Sequence, residues 1–329
     1  MKRNMKDEKN KKSVIFTHYK CNNNCRFCIQ NHLRSKKARR TEEIKKEMIS
    51  CKKREINYLE LIGGEMTIRD DFIDLIKFAD NLEFQTVMIA TNGRMFAYPE
   101  YAEKAIEAGL SSIVFSIHGH NAELHDYLTR SEGSFDQLHR GLENIKKAAQ
   151  KLGKSINLGS NTTIVKPNFK KLPEIGRHIK SLGIRNSEFI FVDCNEGGAY
   201  DNFEELVPKV SDTAPYIKEC LDLVDVNKTG VNWDVRYVPL CYFIDYLDQV
   251  SEIREDLTFE TTEHLTDDER RTYTYSENRK KVARVKTDKC KRCLVNNICE
   301  GVWKNYYNHF GDQDLKPITD TKNIKLCPE

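Results

Sequence analysis

The chain has 329 residues, of which 39% are hydrophobic and 31% are charged, and its formal net charge is only +3. No run approaches the roughly 20 apolar residues that a membrane helix needs, which excludes a membrane-spanning protein. Residues 1–12 are charged and polar with no apolar stretch behind them, which excludes a secretory signal. We therefore expect residues 1–12 to form a disordered basic arm and the protein to be cytoplasmic.

Short apolar runs alternate with amphipathic helical patterns from residue 13 to about residue 225. The apolar runs are Val14–Phe16, Leu59–Ile62, Val87–Ala90, Ile113–Ile117, Ile156–Val165 and Phe189–Val192. In one helical stretch Leu138, Leu142, Ile145 and Ala149 recur at three- and four-residue steps and form one apolar face. Alternating strands and helices predict an α/β fold, a partial (β/α)6 barrel over residues 13–225. Such sheets bind ligands at the C-terminal ends of their strands.

The eleven cysteines are better explained by metal binding than by disulfides, because their number is odd and no secretion signal is present. After about residue 226 the apolar periodicity stops, although residues 226–329 hold five of the cysteines. A region with so little apolar pattern needs another source of order, and metal ligation supplies folding free energy. The sequence therefore predicts a small metal-binding domain over residues 226–329.

The first cysteine motif follows the first strand and has the spacing C-x3-C-x2-C, formed by Cys21, Cys25 and Cys28. Three thiolates on a short loop suit three corners of a [4Fe–4S] cluster. The fourth iron would then be open, as a catalytic metal requires, whereas a structural zinc site usually takes four ligands. We favour the iron–sulfur cluster, with a zinc loop as the alternative.

This motif, with the aromatic Phe27 before its last cysteine, resembles that of the radical S-adenosylmethionine (SAM) superfamily. The resemblance implies that SAM chelates the open iron through its amino and carboxylate groups. An electron from the cluster would then cleave the sulfonium bond to methionine and a 5′-deoxyadenosyl radical, which removes a hydrogen atom from the substrate. The cofactors supply this chemistry, and the protein supplies orientation and excludes water.

The resemblance also assigns residues to SAM binding. Gly63-Gly64-Glu65, after the second strand, resembles the family's GGE motif, which binds the methionine amino group. Glycines let the backbone approach a ligand closely. The residues expected to contact the ribose or carboxylate, from the fourth and fifth strands, are Ser116, His118 and Asn161.

Two further polar motifs have less specific interpretations. Asn92-Gly93, after the third strand, is interpreted as a turn. His125-Asp126, in the loop after the fourth strand, is interpreted as a loop-capping pair, with an acid–base pair as the alternative.

Cys290, Cys293 and Cys299 have the spacing C-x2-C-x5-C, which resembles the SPASM domain or its shorter single-cluster form, the twitch domain. The SPASM pattern places another cysteine where this chain has Trp303, so we expect one auxiliary [4Fe–4S] cluster rather than two. The resemblance favours Cys241 as its fourth ligand, with Cys327 as the alternative. A zinc ribbon with the same cysteines is the other interpretation of this region.

Three cysteines remain outside these motifs. Cys51 and Cys220 fall in helical stretches, where a buried apolar role is expected. Cys194 lies at the end of the sixth strand, where a side chain can face the substrate. In some radical enzymes such a thiol returns a hydrogen atom, so Cys194 is a catalytic candidate, with an inert cysteine as the alternative.

Two basic runs, from Arg34 to Arg40 and from Arg279 to Arg292, are either solvated faces or a landing surface for an acidic partner. The resemblance to SPASM and twitch domains favours a radical SAM enzyme that crosslinks, epimerises or oxidises a ribosomally synthesised peptide. Because only about twelve residues precede the first strand, we expect a leader-peptide-binding domain to be either missing or supplied by a separate partner. The resemblance also implies an electron donor such as flavodoxin or ferredoxin.

Two alternative functions remain. One is a radical SAM enzyme that acts on a small molecule, such as a sugar or a cofactor precursor. The other is a non-catalytic metal-cluster protein that binds nucleic acid through its basic runs. Glu65 and the open cluster position argue against the second alternative, so nucleic acid is not the expected partner.

Overall fold

A computed structural model of the protein describes residues 10–224, 230–253, 259–264 and 279–320. Most of the predicted basic arm, residues 1–9, and Cys327 lie outside the described residues. The first strand begins at Asn10, so the predicted boundary at residue 13 falls inside it. Among the described residues, no helix is long and apolar enough to cross a membrane.

The main sheet consists of parallel strands. These strands are β1 (Asn10–Phe16), β2 (Tyr58–Ile62), β3 (Thr86–Thr91), β4 (Ser112–Ser116), β5 (Asn157–Ile164), β6 (Asn186–Phe191), β7 (Asn232–Arg236) and β8 (Phe259–His264). Their order in this 8-stranded sheet is β7-β6-β5-β4-β3-β2-β1-β8. The apolar runs of the sequence correspond to β1–β6, whereas β7 and β8 come from beyond residue 225 and extend both edges. The predicted α/β partial barrel is confirmed, with two additional strands.

Helices follow the strands in the alternation that the sequence predicts. Those described are α1 (Thr41–Lys53), α2 (Phe72–Asn81), α3 (Pro99–Glu107), α4 (Ala122–Thr129), α5 (Ser134–Lys151), α6 (Leu172–Ser181), α7 (Gly197–Asp201), α8 (Phe203–Leu206), α9 (Val210–Leu221) and α10 (Lys304–Phe310). In α5 the predicted apolar face is buried, including Leu138, Leu142 and Ile145. This face packs against the neighbouring α3 and α4.

Successive side chains along each strand point to opposite faces of the sheet, and this alternation places the core. In β2, Leu59 and Leu61 are buried in the hydrophobic core, whereas Glu60 lines an interior cavity of about 530 Å³. Arg236 of β7 and Thr261 of β8 line the same cavity, although these strands form opposite edges of the sheet. The sheet is therefore curled, with helices outside and a cavity inside.

The C-terminal segment packs against this curled sheet. It contains the antiparallel pair β9 (Arg284–Val285) and β10 (Val302–Trp303), followed by α10. The Tyr306 hydroxyl accepts a hydrogen bond from the backbone N–H of Val210 at 2.9 Å. The N–H of Asn305 donates to Asn195 Oδ1, beyond the end of β6, at 3.0 Å. These contacts position the C-terminal segment beside the C-terminal ends of the strands.

Part of the second basic run is buried in ion pairs. The Arg279 guanidinium donates two hydrogen bonds to the Glu300 carboxylate, at 2.6 and 2.8 Å. Arg284 lies 3.5 Å from the carboxylate of Glu252 and stacks on the ring of Trp303. The prediction of a solvated face or landing surface is therefore wrong for Arg279 and Arg284, whose side chains are only 3% and 0% exposed.

We predict that Arg284→Met lowers the free energy of unfolding by about 3–5 kcal/mol, because it leaves the buried Glu252 without this cation. Denaturant unfolding of the two proteins measures the difference. The matched control is Lys291→Met, which breaks the ion pair of two exposed side chains, Lys291 and Asp288. The control is expected to unfold like the wild type. An equal midpoint for Arg284→Met and wild type would contradict this account of the buried pair.

Candidate active site

The three cysteines of the first motif line one cavity, of about 310 Å³, at the C-terminal ends of the parallel strands. The same cavity contains every residue that the resemblance assigns to SAM binding, namely Phe27, Gly63, Gly64, Glu65, Ser116, His118 and Asn161. These residues come from the loops after β1 and β2 and from the ends of β4 and β5. The fold thus brings the predicted cluster ligands and the predicted cofactor contacts into a single site.

Backbone hydrogen bonds hold the cysteine loop from two sides. The N–H groups of Asn24 and Arg26 donate to carbonyl oxygens near the end of α4, both at 2.9 Å. On the other side, the N–H of Gly198 in α7 donates to the carbonyl of Cys28 at 3.0 Å. A Cβ on Gly198 would lie 2.1 Å from the carbonyl oxygen of Arg26, so α7 needs glycine to approach so closely. The loop therefore has little freedom to rearrange.

The glycines after β2 likewise let two segments of backbone pack closely together. The N–H of Gly64 donates to the His18 carbonyl at 2.7 Å, and the N–H of Glu65 donates to the Lys20 carbonyl at 2.8 Å. A Cβ would lie 2.2 Å from the His18 oxygen at Gly63 and 2.0 Å from the Lys20 oxygen at Gly64. These glycines were predicted to approach a ligand. They line the cavity, and they also bring the β2 loop against the start of the cysteine loop.

Burial favours the neutral form of the free thiols. It raises the pKa of Cys21 to about 11, and the nearby charge of Glu65 acts in the same direction. Burial also raises the pKa of Cys25, with the charges of Cys21 and Cys28 adding to the effect. A metal must therefore compensate the cost of ionising these thiols together. Such an environment suits cluster ligands better than a free thiolate nucleophile.

Glu65 is buried, and burial raises the pKa of its carboxyl group. Its Oε1 accepts hydrogen bonds from the Thr67 and Thr91 hydroxyls, at 2.6 and 2.7 Å. Its Oε2 accepts one hydrogen bond, from the N–H of Asn92 at 2.7 Å. Because each carboxylate oxygen has two lone pairs, Oε2 retains acceptor capacity for a cationic amine. The site thus holds a fixed, buried acceptor beside the three thiols.

The sequence interpretation underestimated the turn after β3. The side-chain amide of Asn92 donates to Asn22 Oδ1 at 2.6 Å, and its nitrogen lies 3.8 Å from Cys21 Sγ. Arg94 donates to Asn23 Oδ1 at 2.8 Å and to the carbonyl of Asn22. The turn therefore ties the cysteine loop to Glu65. The turn follows the end of a strand, as the other motifs do, and this position could have identified the turn as part of the site.

His118 is a neutral imidazole packed between two rings. Burial, reinforced by His125, lowers the pKa of His118 to about 3. Its Nδ1 accepts from the N–H of Thr163 at 3.2 Å, which leaves the proton on Nε2. Phe27 meets the ring edge-on with centroids 4.7 Å apart, and His125 stacks on it at 5.9 Å. His118 therefore offers a neutral N–H donor rather than a positive charge.

His125 and Asp126 lie within α4 rather than in a loop, so their predicted position is corrected, whereas the capping role expected of the pair is seen for Asp126. The Asp126 carboxylate accepts hydrogen bonds from the backbone N–H groups of Gly133 and Phe135 and from the Ser134 hydroxyl, at 2.7–2.8 Å. These groups lie at the start of α5, so the carboxylate satisfies N–H groups that a helix start leaves unpaired.

The 530 Å³ interior cavity adjoins the cysteine cavity, and Asn161, Asp193 and Tyr237 are among the residues that line both. Apolar side chains from the strands form much of its wall, including Val14, Met88 and Ile190. Two ion pairs also lie in the wall, Lys12 with Glu60 at 2.7 Å and Arg236 with Glu188 at 2.8 Å. A partly apolar cavity with paired charges, next to the cofactor site, is a suitable place for a substrate.

Cys194 does not occupy the position that its sequence suggested. Its side chain is fully buried in the hydrophobic core and lines neither of the two cavities. Burial raises the pKa of its thiol. The prediction that Cys194 faces the substrate is therefore wrong for this structure, and the inert alternative fits its surroundings. Cys51 and Cys220 are buried, as expected.

The C-terminal cysteines line a second, smaller site. Cys241, Cys290, Cys293 and Cys299 surround one narrow cavity, together with Lys286 and Lys289. The N–H groups of Leu240 and Gly301 point at Cys299 Sγ, at 3.5 and 3.4 Å. Trp303, which stands where a further cysteine was considered, instead lines the interior cavity. Within the described parts of the chain, no three His, Cys, Asp or Glu side chains converge on a position for a single metal ion.

Comparison with known proteins finds similarity over about half of the chain. The family profile for the Radical SAM superfamily matches residues 15–165. Mycofactocin maturase MftC of Mycolicibacterium smegmatis is 32% identical over 131 residues, 40% of this chain and 33% of that protein. The AdoMet-dependent heme synthase of Methanosarcina barkeri is 30% identical over 151 residues, 46% of this chain and 40% of that protein. The chain thus spans less than half the length of these relatives. Residues 15–165 are thus similar to the radical SAM superfamily.

Solved structures share the fold. Streptococcus suis SuiB bound to S-adenosylmethionine superposes with a TM-score of 0.62 at 16% identity, covering 96% of this chain and 77% of SuiB. Native anSMEcpe with bound AdoMet has a TM-score of 0.62 at 15% identity, covering 94% of this chain and 93% of that one. At these identities the likeness establishes the architecture.

We predict that Gly64→Ala prevents the cysteine loop from seating against β2, because the added Cβ would clash with the Lys20 carbonyl. The variant should lose about 1–3 kcal/mol of stability, as overpacked sites do. After anaerobic reconstitution it should bind about four fewer irons per chain, the content of one cubane cluster. Thermal unfolding and iron analysis measure both effects.

The control for this substitution is Gly153→Ala. Gly153 has φ +62°, and no heavy atom lies within 4 Å of the place that a Cβ would take, so alanine there adds backbone strain without a clash. The control should lose about 1 kcal/mol and retain its iron. A full iron content in Gly64→Ala would contradict the role given to this contact.

Proposed function

We propose that the protein is a radical SAM enzyme in which Cys21, Cys25 and Cys28 hold a [4Fe–4S] cluster and the surrounding cavity binds SAM. The observation that carries the proposal is the shared cavity, which contains the three thiols and all the predicted SAM contacts. With three protein thiolates, one iron remains free for a ligand. When bound, the cluster and SAM supply one-electron cleavage of the sulfonium bond and a radical that abstracts hydrogen.

The residues of the chain orient the cofactor and exclude water. Glu65 would hold the methionine ammonium, because it is a buried carboxylate with spare acceptor capacity. Ser116 and Asn161, which are paired in register on β4 and β5, offer polar groups to the ribose or carboxylate. His118 contributes its neutral Nε2–H. Phe27, packed against His118, covers one side of the cavity with an apolar ring.

The proposed substrate is a ribosomally synthesised peptide, which is crosslinked, epimerised or oxidised in the interior cavity. The interior cavity, of about 530 Å³, is large enough to hold part of a peptide next to the SAM cavity. The solved structure of SuiB bound to precursor peptide SuiA and that of anSMEcpe with bound AdoMet and the Cp18Cys peptide support this choice. A leader-peptide-binding partner and an electron donor complete the proposed system.

A small-molecule substrate is the second candidate, and the names of relatives favour it. They include the AdoMet-dependent heme synthase of Methanosarcina barkeri and a probable GTP 3′,8-cyclase of Methanothermobacter thermautotrophicus. Coexpression of the chain with short peptides encoded beside its gene, followed by mass spectrometry, separates the candidates. A change in peptide mass that depends on SAM supports a peptide substrate. An unchanged mass, together with turnover of a neighbouring pathway's sugar or cofactor precursor, supports the small molecule.

The second proposed cofactor is an auxiliary [4Fe–4S] cluster held by Cys241, Cys290, Cys293 and Cys299 in a SPASM- or twitch-like domain, residues 226–329. Support comes from the convergence of four thiols on one cavity. Burial raises the pKa of Cys241 to about 12, and the other three thiols add to the effect, so a metal must compensate the clustered charge. The N–H groups aimed at Cys299 and Cys293 are donors of the kind that tune iron–sulfur clusters.

We predict that Glu65→Gln weakens SAM binding by about 10- to 100-fold, the value of one charge-assisted hydrogen bond. Equilibrium binding and 5′-deoxyadenosine formation with dithionite, on anaerobically reconstituted protein, measure the effect. Glu123→Gln, an exposed change on α4, is the matched control and should behave as wild type. Equal SAM affinity in both variants would remove Glu65 from the site. Absence of 5′-deoxyadenosine from reconstituted wild type would contradict the proposed function.

We predict that Cys241→Ala lowers the iron content from about eight to about four per chain, because the auxiliary cluster loses a ligand. Iron and zinc analysis after reconstitution measures this, and the matched control is Cys51→Ala, a buried cysteine outside both sites. Loss of iron in Cys327→Ala instead would identify that residue as the fourth ligand. Zinc at this site would contradict the auxiliary cluster.

A further inference from the structure

The surface next to the auxiliary cysteines combines apolar and basic residues. Leu294 and Ile298 are large apolar side chains that remain 47% and 46% exposed. Each is adjacent in sequence to a cysteine of the auxiliary site, Cys293 and Cys299 respectively. The four thiols are themselves partly exposed. Two exposed apolar side chains thus flank two cysteines of the auxiliary site.

Basic side chains surround this pair. Lys286 donates to the carbonyl of Asn296, between the two apolar residues, and it also lines the cysteine cavity. Lys291 and Arg292 are exposed and immediately precede Cys293. Lys291 is paired with Asp288, which reduces its contribution. We call Lys286, Lys291, Arg292, Leu294 and Ile298 the auxiliary-site surface. It combines exposed apolar and basic residues, as protein interfaces do.

We infer that the auxiliary-site surface is the docking site of an acidic one-electron donor protein, a ferredoxin by chemical class. The charge is complementary, since lysine and arginine form the rim. The location is specific, because Lys286 lines the cavity of the auxiliary thiols, whereas none of the five residues lines the interior cavity. An auxiliary cluster held by Cys241, Cys290, Cys293 and Cys299 would accept one electron from the donor's reduced iron–sulfur centre, which would be oxidised by one electron. No bond is made or broken. This inference rests on the proposed function.

Such a contact has a defined energetic character. Redox partners bind through small interfaces, and complementary charge increases their association rate and makes the affinity fall with salt. The apolar pair gives the contact its desolvated centre. Lys37, in the other basic run, is exposed and lines neither cysteine cavity, so it provides a matched control.

The test measures equilibrium binding of a recombinant acidic [4Fe–4S] ferredoxin to the reconstituted full chain at two salt concentrations. One is low, and the other is about 0.5 M, at which salt screens most of the attraction between exposed charges. Arg292→Glu is expected to weaken binding about tenfold at low salt, whereas Lys37→Glu should not. Ile298→Ser should weaken it at both salt concentrations, whereas Ile49→Ser, a change at another exposed isoleucine, should not. Reduction of the auxiliary cluster by ferredoxin, followed by absorbance, should slow in parallel.

Three results would overturn the inference. One is equal binding by Arg292→Glu and Lys37→Glu. Another is ferredoxin binding with no reduction of the auxiliary cluster. The third is no ferredoxin binding while a DNA duplex binds in an Arg292-dependent manner, which would assign the surface to nucleic acid. Formation of 5′-deoxyadenosine with dithionite is measured separately, so failure of the docking site is distinguishable from failure of the proposed function.

Discussion

The close packing of the β2 loop against the cysteine loop is the contact on which the site depends. The N–H group of Gly64 donates to the His18 carbonyl, and that of Glu65 donates to the Lys20 carbonyl. A side chain at Gly63 or Gly64 would prevent this approach. This contact fixes two things together. It holds the cysteine loop against the sheet, and it sets the Glu65 carboxylate beside the same cavity as the thiols. The proposed cluster site and the proposed SAM site therefore depend on one piece of backbone geometry, which only glycine at positions 63 and 64 permits.

Much of this architecture could be predicted because its signals are local. The apolar runs gave β1–β6, and three cysteines within eight positions gave the cluster site. Residues whose role depends on tertiary contacts were missed or misplaced. Asn92 and Arg94 act by reaching the cysteine loop, which no local pattern reveals. Cys194 was expected at the end of the sixth strand, but β6 ends at Phe191, and Cys194, three residues further on, is buried in the core.

The C-terminal segment connects the proposed auxiliary site to the interior cavity. Arg279 and Trp303 line that cavity. The buried pair of Arg279 with Glu300 joins two parts of the segment, and the pair of Arg284 with Glu252 ties the segment to a residue outside it. Trp303 stands where the SPASM pattern has a cysteine, and its ring lies under Arg284 instead of among the auxiliary thiols. The segment therefore has two roles in this account: it completes the wall of the substrate cavity, and it carries the proposed second cluster at the surface.

The central claim is that the first cluster has three protein ligands and an iron open to SAM. Electron paramagnetic resonance of the reduced, reconstituted protein tests it directly. The account predicts that adding SAM changes the signal of one cluster, and that this SAM-dependent component is absent from a Cys21/Cys25/Cys28→Ala variant. A spectrum that SAM does not alter, or a SAM-dependent signal that survives in the triple variant, would contradict it.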